Sequence, residues 1–474
     1  MKLRLPALSL VAAAISVAPL AALAQWPANA DSAVVVSDAP GEQVQPKIVA
    51  LDDGGYYVSW FDGGGQYDVR LQRYDRNGNA LWATGGILVA NRNVSSTVDY
   101  GLDRDPSGNA VLAFRLRGAN GALQAMATKI APDGSRLWAA YASAASNDVQ
   151  TVQAAATADG GMVVAWLDDS GKEILQRFDA TGHALWGDGV AIQPPSGAFV
   201  FPGDVHGSGN DAIVSFVIQS RTTGNQLWAQ KYDPAGQPLW SPGYVKLWED
   251  TAAGTISMGD SPVFLDDGAG GAVFCWQYVF NAADSANRIQ HVLADGSELY
   301  AHNGISPSTD TRLPRGQVAC SYDARTGDVY ALWRVIGTNP DDSGIQAQRV
   351  DANGSLLWDG KGKTLVPINP NSYSNLIALP ARDGFIAQWN TDSLTLGDEP
   401  LDAAAIRSDG TPAWRLPVVQ YKQFEGYVGR VAGAPTRAGG AVFVWENNPP
   451  ADPYNADLVM QKVGAFGGVG SPGH

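Results

Sequence analysis

The chain has 474 residues, of which 45% are hydrophobic and only 17% charged, with 54 glycines and 15 tryptophans. That composition excludes an intrinsically disordered chain, which lacks the apolar surface to order itself. A formal charge of −15 repels a phosphate backbone, so nucleic acid is not an expected partner.

Lys2 and Arg4 precede an apolar run from Ala7 to Leu23, and Ala22-Leu23-Ala24 stands just before Gln25. A charged start, an apolar stretch and a small-x-small site predict a removable leader over residues 1–24. Pro19 interrupts the run, no stop-transfer pattern follows, and no cysteine lies near the cleavage site. Neither a membrane span nor a lipid anchor is therefore expected. The expected product is exported, periplasmic or extracellular.

After the leader, Gln25-Trp26 and Ala33–Val36 read as an outer strand with no sheet before it. Gln45–Leu51 is the next short apolar segment, ended by the Asp52–Gly55 turn. Tyr56–Phe61 is apolar on both faces, as a strand between two neighbouring sheets should be. Val69–Asp75 is a third strand, and Arg76-Asn77-Gly78 turns the chain into Leu81-Trp82 before Ile87–Ala90. Four short strands joined by Gly/Asn/Asp turns predict an antiparallel meander.

The unit then recurs. LQRYDRNGNALW (Leu71–Trp82) returns as LQRFDATGHALW (Leu175–Trp186), AQKYDPAGQPLW (Ala229–Trp240) and AQRVDANGSLLW (Ala347–Trp358). Upstream of it, segments such as DDGGYYVSW and ADGGMVVAW end in aromatics at 60, 114, 166, 216, 276, 333, 389 and 445. A period of this size marks a solenoid or a propeller. Four-stranded antiparallel units repeated eight times predict an all-β, eight-bladed β-propeller. The units cover 37–90, 91–141, 142–191, 192–245, 246–305, 306–366, 367–419 and 420–470. The last runs through Leu458–Val463 into a Gly-rich end with no closing Leu-Trp. Residues 25–36 are therefore expected to supply its outer strand, which removes an exposed sheet edge. One domain over 25–470 and a disordered tail at 471–474 complete the expectation.

Repeated residues are most economically scaffold. Gln72, Gln176, Gln230, Gln290, Gln348 and Gln461 share one register, each followed by a basic residue, and are expected to bond local backbone or indole. Asp103–Asn109 begins like a calcium loop but lacks the distal glutamate, and reads as an Asx-rich turn. Cys275 and Cys320 leave two readings open, a disulfide permitted by export or a small packing slot.

A binding site should break the repeat. In propellers the loops joining strands two and three, with those joining successive blades, line one face of the channel. On that expectation the ligand-binding candidates are Arg115, Arg117, Asp168, Tyr278, Arg315, Arg334, Asp341 and Glu446. Asp62, Asp169, Gln277, Asp310, Arg312, Asp342, Tyr373, Asp392, Trp248 and Tyr427 lie near them. Such residues around one funnel could hold a sugar acid or a peptide. The five histidines show no metal-ligand spacing, and neither a G-x-S-x-G elbow nor a Cys–His pair is evident. No metal is expected, and the sequence singles out no catalytic set.

The D-x-x-G-x-x-x-W hairpins at Asp75–Trp82, Asp179–Trp186, Asp233–Trp240 and Asp351–Trp358 resemble blade motifs of bacterial eight-bladed propellers. Two groups are similar in architecture: the pyrroloquinoline-quinone dehydrogenases and the propeller lipoprotein of outer-membrane protein assembly. The quinoproteins' adjacent-cysteine disulfide and the lipoprotein's lipobox have no counterpart here, so no cofactor is expected. The functional expectation is a monomeric, non-catalytic propeller presenting a loop-lined face to a protein or carbohydrate partner. A glycan-cleaving hydrolase or lyase with its site in the central funnel is the alternative, and a quinone-dependent dehydrogenase ranks below it.

Overall fold

A computed structural model describes residues 26–143, 148–194, 196–220, 224–240, 243–249, 255–256, 264–281, 284–392, 399–452 and 454–470. The expected leader and tail lie outside that set. Among the described residues no helix occurs, so none is long and apolar enough to cross a membrane.

Blade one is built from Gln43–Ala50, Tyr56–Asp62, Asp68–Tyr74 and Ile87–Ala90, paired in that order and antiparallel throughout. Its second strand is buried at every position, and the reason is that it serves two interfaces. Tyr57 and Phe61 pack with Leu112 and Phe114 of blade two. Val58 and Trp60 pack with Val442 and Val444 of blade eight. The same division holds around the molecule, so the core is a ring of apolar seams, one between each pair of neighbouring blades. Trp60, Trp276, Trp333, Trp389 and Trp445 are almost wholly buried in them. Each such indole contributes roughly 4 kcal/mol of apolar burial.

The sheets number eight, each of four strands. Val34–Ser37 joins the last of them, pairing antiparallel with Asp457–Val463 in the register Val34↔Met460 and Val35↔Val459. The inner strand of blade one also packs on that of blade eight, Tyr427–Pro435, which closes the ring. Blade five is the irregular sheet. Its inner edge is two pieces, Thr255–Ile256 and Phe264–Asp266, and its outer position is reduced to the single bridge Ile289↔Ile305. Pro307 follows two residues later and has no N–H to extend the ladder.

The cysteines are joined. Cys275 lies on the second strand of blade five and Cys320 on the inner strand of blade six, with Cα atoms 6.4 Å apart. The bond crosses the seam next to the weakest sheet, and closing a loop of this length stabilises by about 4 kcal/mol.

The repeated glutamines close the same bonds in blades one, three, four, five and six, while blades two and seven carry Thr128 and Ala404 at that register. Gln72 accepts from the N–H groups of Arg73 and Trp82 and donates to the Ala83 carbonyl. Gln176, Gln230, Gln290 and Gln348 repeat this arrangement. Gln461 instead donates to Pro27, Asn29 and Ser32 of the N-terminal segment. In blades one, three, four and six the cation that follows pairs with an aspartate of its own blade, as in Arg177–Asp159 at 2.7 Å and Arg349–Asp328 at 2.6 Å. Each closing aromatic donates to a turn carbonyl of the next blade, Trp82 to Pro132 at 3.3 Å and Trp186 to Pro234 at 2.9 Å. Trp138, Trp240, Tyr300, Trp358 and Trp414 do likewise. Trp26 completes the circle on Arg76 at 3.2 Å.

Candidate functional site

The strand order gives the ring two unlike faces. One carries the turns between strands one and two and between three and four, where the repeated Asp and Gly residues sit. The other carries the loops between strands two and three and between blades, and the candidate residues of the sequence cluster toward it.

Several of those candidates hold one blade to the next. Arg115 is buried, and its guanidinium donates to the Ser96 hydroxyl at 3.0 Å and to the Val149 carbonyl of blade three at 3.4 Å. Arg334 donates to the Ser372 hydroxyl at 3.2 Å and the Tyr373 carbonyl at 3.3 Å in blade seven. Gln277 accepts from the Gln317 N–H of blade six at 2.9 Å. Glu446 accepts from the Gln45 N–H of blade one at 2.7 Å and from Arg430 N–H at 3.2 Å, and burial raises its pKa. All four directly follow the inner aromatic, so one position supplies an inter-blade staple in blades two, five, six and eight. The four lie in four different seams and are not gathered at one point.

The remaining candidates are local. Asp168 accepts from the N–H groups of Ser170 and Lys172 and shapes its own loop. Arg117 is exposed and donates to Gly121 at 2.6 Å. Tyr278 stacks on Trp248 at 4.6 Å, with the Arg288 guanidinium 3.3 Å from its hydroxyl. Arg315 holds the inter-blade loop through the Asp310 carbonyl at 2.8 Å. Asp341 is exposed at a loop tip. Asp105 accepts from Ser107, Asn109 and Lys129, so Asp103–Asn109 does form an Asx turn.

A second group, not singled out by the repeat, lies on the inner strands of blades one to five. Lys47 pairs with Asp99 at 2.8 Å, and Gln153 donates to the other Asp99 oxygen at 2.5 Å. Asp103 accepts from the Ala156 N–H at 2.9 Å, and burial raises its pKa. His206 Nε2 lies 3.0 Å from Asp204, with its ring edge-on to Phe264 at 4.5 Å. Burial alone would lower the His206 pKa, but Asp204, Asp103 and Asp266 together raise it. Burial also raises the Asp266 pKa. The Lys47 charge acts on Asp204, from blade one to blade four, and these blades are not neighbours. His206 and Asp204 keep 35% and 26% side-chain exposure. The inner strands of blades six to eight carry Ala319, Ser321, Leu379 and Ala434, together with the exposed Arg430 of blade eight. The signal available in the sequence was Asp204 and His206, two residues apart in a valine- and phenylalanine-rich strand. Among the described residues no group of three His, Cys, Asp or Glu is arranged to hold a metal.

The molecule is thus an eight-bladed β-propeller. No family model matches the chain, and no curated protein does. Among solved structures it is similar to a polysaccharide lyase, the PL25 ulvan lyase bound to -[GlcA(1-4)Rha3S]-. That likeness has 11% identity, 82% of this chain and 97% of the other covered, and a TM-score of 0.48. Prolyl oligopeptidase B from Galerina marginata gives 12% identity, 87% and 55% coverage, and a TM-score of 0.44. A protein of unknown function from Dyadobacter fermentans gives 10% identity, 91% and 97% coverage, and a TM-score of 0.41. These likenesses concern the fold alone.

Proposed function

We propose that the protein is an exported, non-catalytic propeller that binds a protein or glycan partner on the face carrying the strand two–three and inter-blade loops. The observation that supports this most is the exposure of large aromatics there, Tyr454 at 85% and Phe199 at 56%. Exposed rings of this size are typical anchors of interfaces and of sugar stacking. The charges around them are mostly carboxylates, with Asp38, Asp148, Asp169, Asp341, Glu425 and Asp452 exposed. A partner bearing basic groups or hydroxyls fits such a rim. Binding is measured by immobilising the protein and passing envelope extracts and a panel of polysaccharides over it. A partner released by the double variant Phe199→Ala/Tyr454→Ala, with melting temperature unchanged, supports the reading. Retention by that variant counts against it.

The second reading is a glycan-cleaving enzyme, favoured by the His206, Asp103 and Asp266 group, whose raised pKa values suit proton transfer. Release of oligosaccharide products, lost in His206→Gln, would replace the binding reading with this one.

A further inference from the structure

One position in the apolar seams breaks the repeat. The third-strand residue paired with the position after the inner aromatic is Val69, Ala125, Leu227, Ile345, Leu401 or Leu458 in six blades. Each of these packs into the seam with the following blade. Blade five has Asn287 there and blade three has Glu173. Blade three thereby reverses the arrangement of blade eight, where Glu446 stands across from Leu458, since Glu173 stands across from Leu167. The two glutamates are served differently. Glu446 accepts from two backbone N–H groups and has the Arg430 charge nearby. Glu173 is 1% exposed, and among the described residues its Oε2 has no hydrogen-bond partner.

No neighbouring group offsets a negative charge at that point, and burial alone raises the Glu173 pKa well above the ordinary value. On its own blade, Met162–Asp168 offers only Asp168, which bonds the backbone of its own loop, including Lys172. Val190–Ile192 carries nothing that titrates, and Arg177 is bound to Asp159. Blade four brings the phenols Tyr232 and Tyr244 into the seam. Its Lys231 is bound to Asp211, Lys246 to Glu249, and His206 to Asp204. An unpaired carboxylate in such a place stays neutral or leaves it. Two residues upstream, the Gly171 carbonyl accepts from the Val200 N–H of blade four at 3.4 Å, next to the exposed Phe199. We propose that Glu173 is a proton-operated latch on the seam between blades three and four. Carrying its proton, the side chain stays in the seam. Giving the proton to water, it moves out as a carboxylate and parts the loop-side end at Gly171 and Val200. Phe199 stands on that end, so on the binding reading above a rise in pH also loosens one of its anchors.

Hydrogen exchange of the intact protein, corrected for the intrinsic rate and read from ~pH 5 to ~pH 9, tests the latch without any partner. Peptides covering 166–174 and 198–205 report the seam. In wild type their opening should rise by up to about tenfold per pH unit, because the opened glutamate ionises near ~4.3 and the closed one does not. Glu173→Gln keeps the shape, cannot ionise and should show no such rise. Glu173→Leu restores the apolar residue type of the six other blades and should open least at every pH, which keeps the test available if the glutamine variant does not fold. The proposal is overturned if wild type and either folded variant share one pH dependence, or if peptides of the blade one–two seam show the same rise.

Discussion

The two faces of the ring solve the same problem, holding eight sheets together, in different ways. On the turn face one bond is written again and again: an indole or phenol of one blade donates to a turn carbonyl of the next, from Trp82 to Trp26. On the loop face the position after the inner aromatic does the work in four of the seams, with an arginine, a glutamine or a glutamate. Repetition therefore marks where every interface has the same geometry. Variation on the loop face marks where the inter-blade connections differ, so a break in the repeat is not by itself a ligand site.

The largest effect that would test this contrast is removal of residues 26–36. Blade eight would lose its outer strand, the Trp26 bond to Arg76 and the carbonyl partners of Gln461 at once. Calorimetry should show a fall in melting temperature of more than ~10 °C or loss of cooperative folding. Gly78→Val comes next. Gly78 has φ +83°, and a Cβ there would meet the Trp26 ring at 2.9 Å. Strain and displacement of the ring should cost about 3 kcal/mol in urea unfolding. Arg115→Ala should cost about 1–3 kcal/mol through the buried carbonyl and hydroxyl it leaves unpaired. The exposed Arg117→Ala should stay within about 0.5 kcal/mol. Equal effects for the two arginines would erase the distinction between staple and rim.

The smallest effect concerns pH. Burial raises the Asp402 pKa to about 6, while the unfolded chain ionises near ~4. The folded state therefore holds its proton longer, and stability is lost as pH rises from ~4 through ~6. Asp402→Asn should remove that slope, gaining on the order of 2 kcal/mol over wild type at pH 8 and nothing at pH 3. A parallel pH dependence in both proteins would show that Asp402 ionises normally.

The repeat made the blades legible because Gly, Asp and Trp recur where turns demand positive φ and seams demand an indole. Gln43–Ala50 and Ile87–Ala90 fall within a few residues of the expected strands for that reason. The inner strands carry no such signature. Their bulges, with Gln45 at φ 59° and Asn375 at φ 49°, come from packing eight sheets around one axis. The channel group of Lys47, Asp103 and His206 is assembled by that closure from residues far apart in the chain.

Closure of the ring by the N-terminal strand is tested most directly by cysteines placed at paired positions of the two strands, Val35→Cys and Val459→Cys. Peptide mapping under non-reducing conditions should recover the two joined, alongside the native Cys275–Cys320 bond. Recovery of both new thiols in the free form from folded protein would contradict the closure.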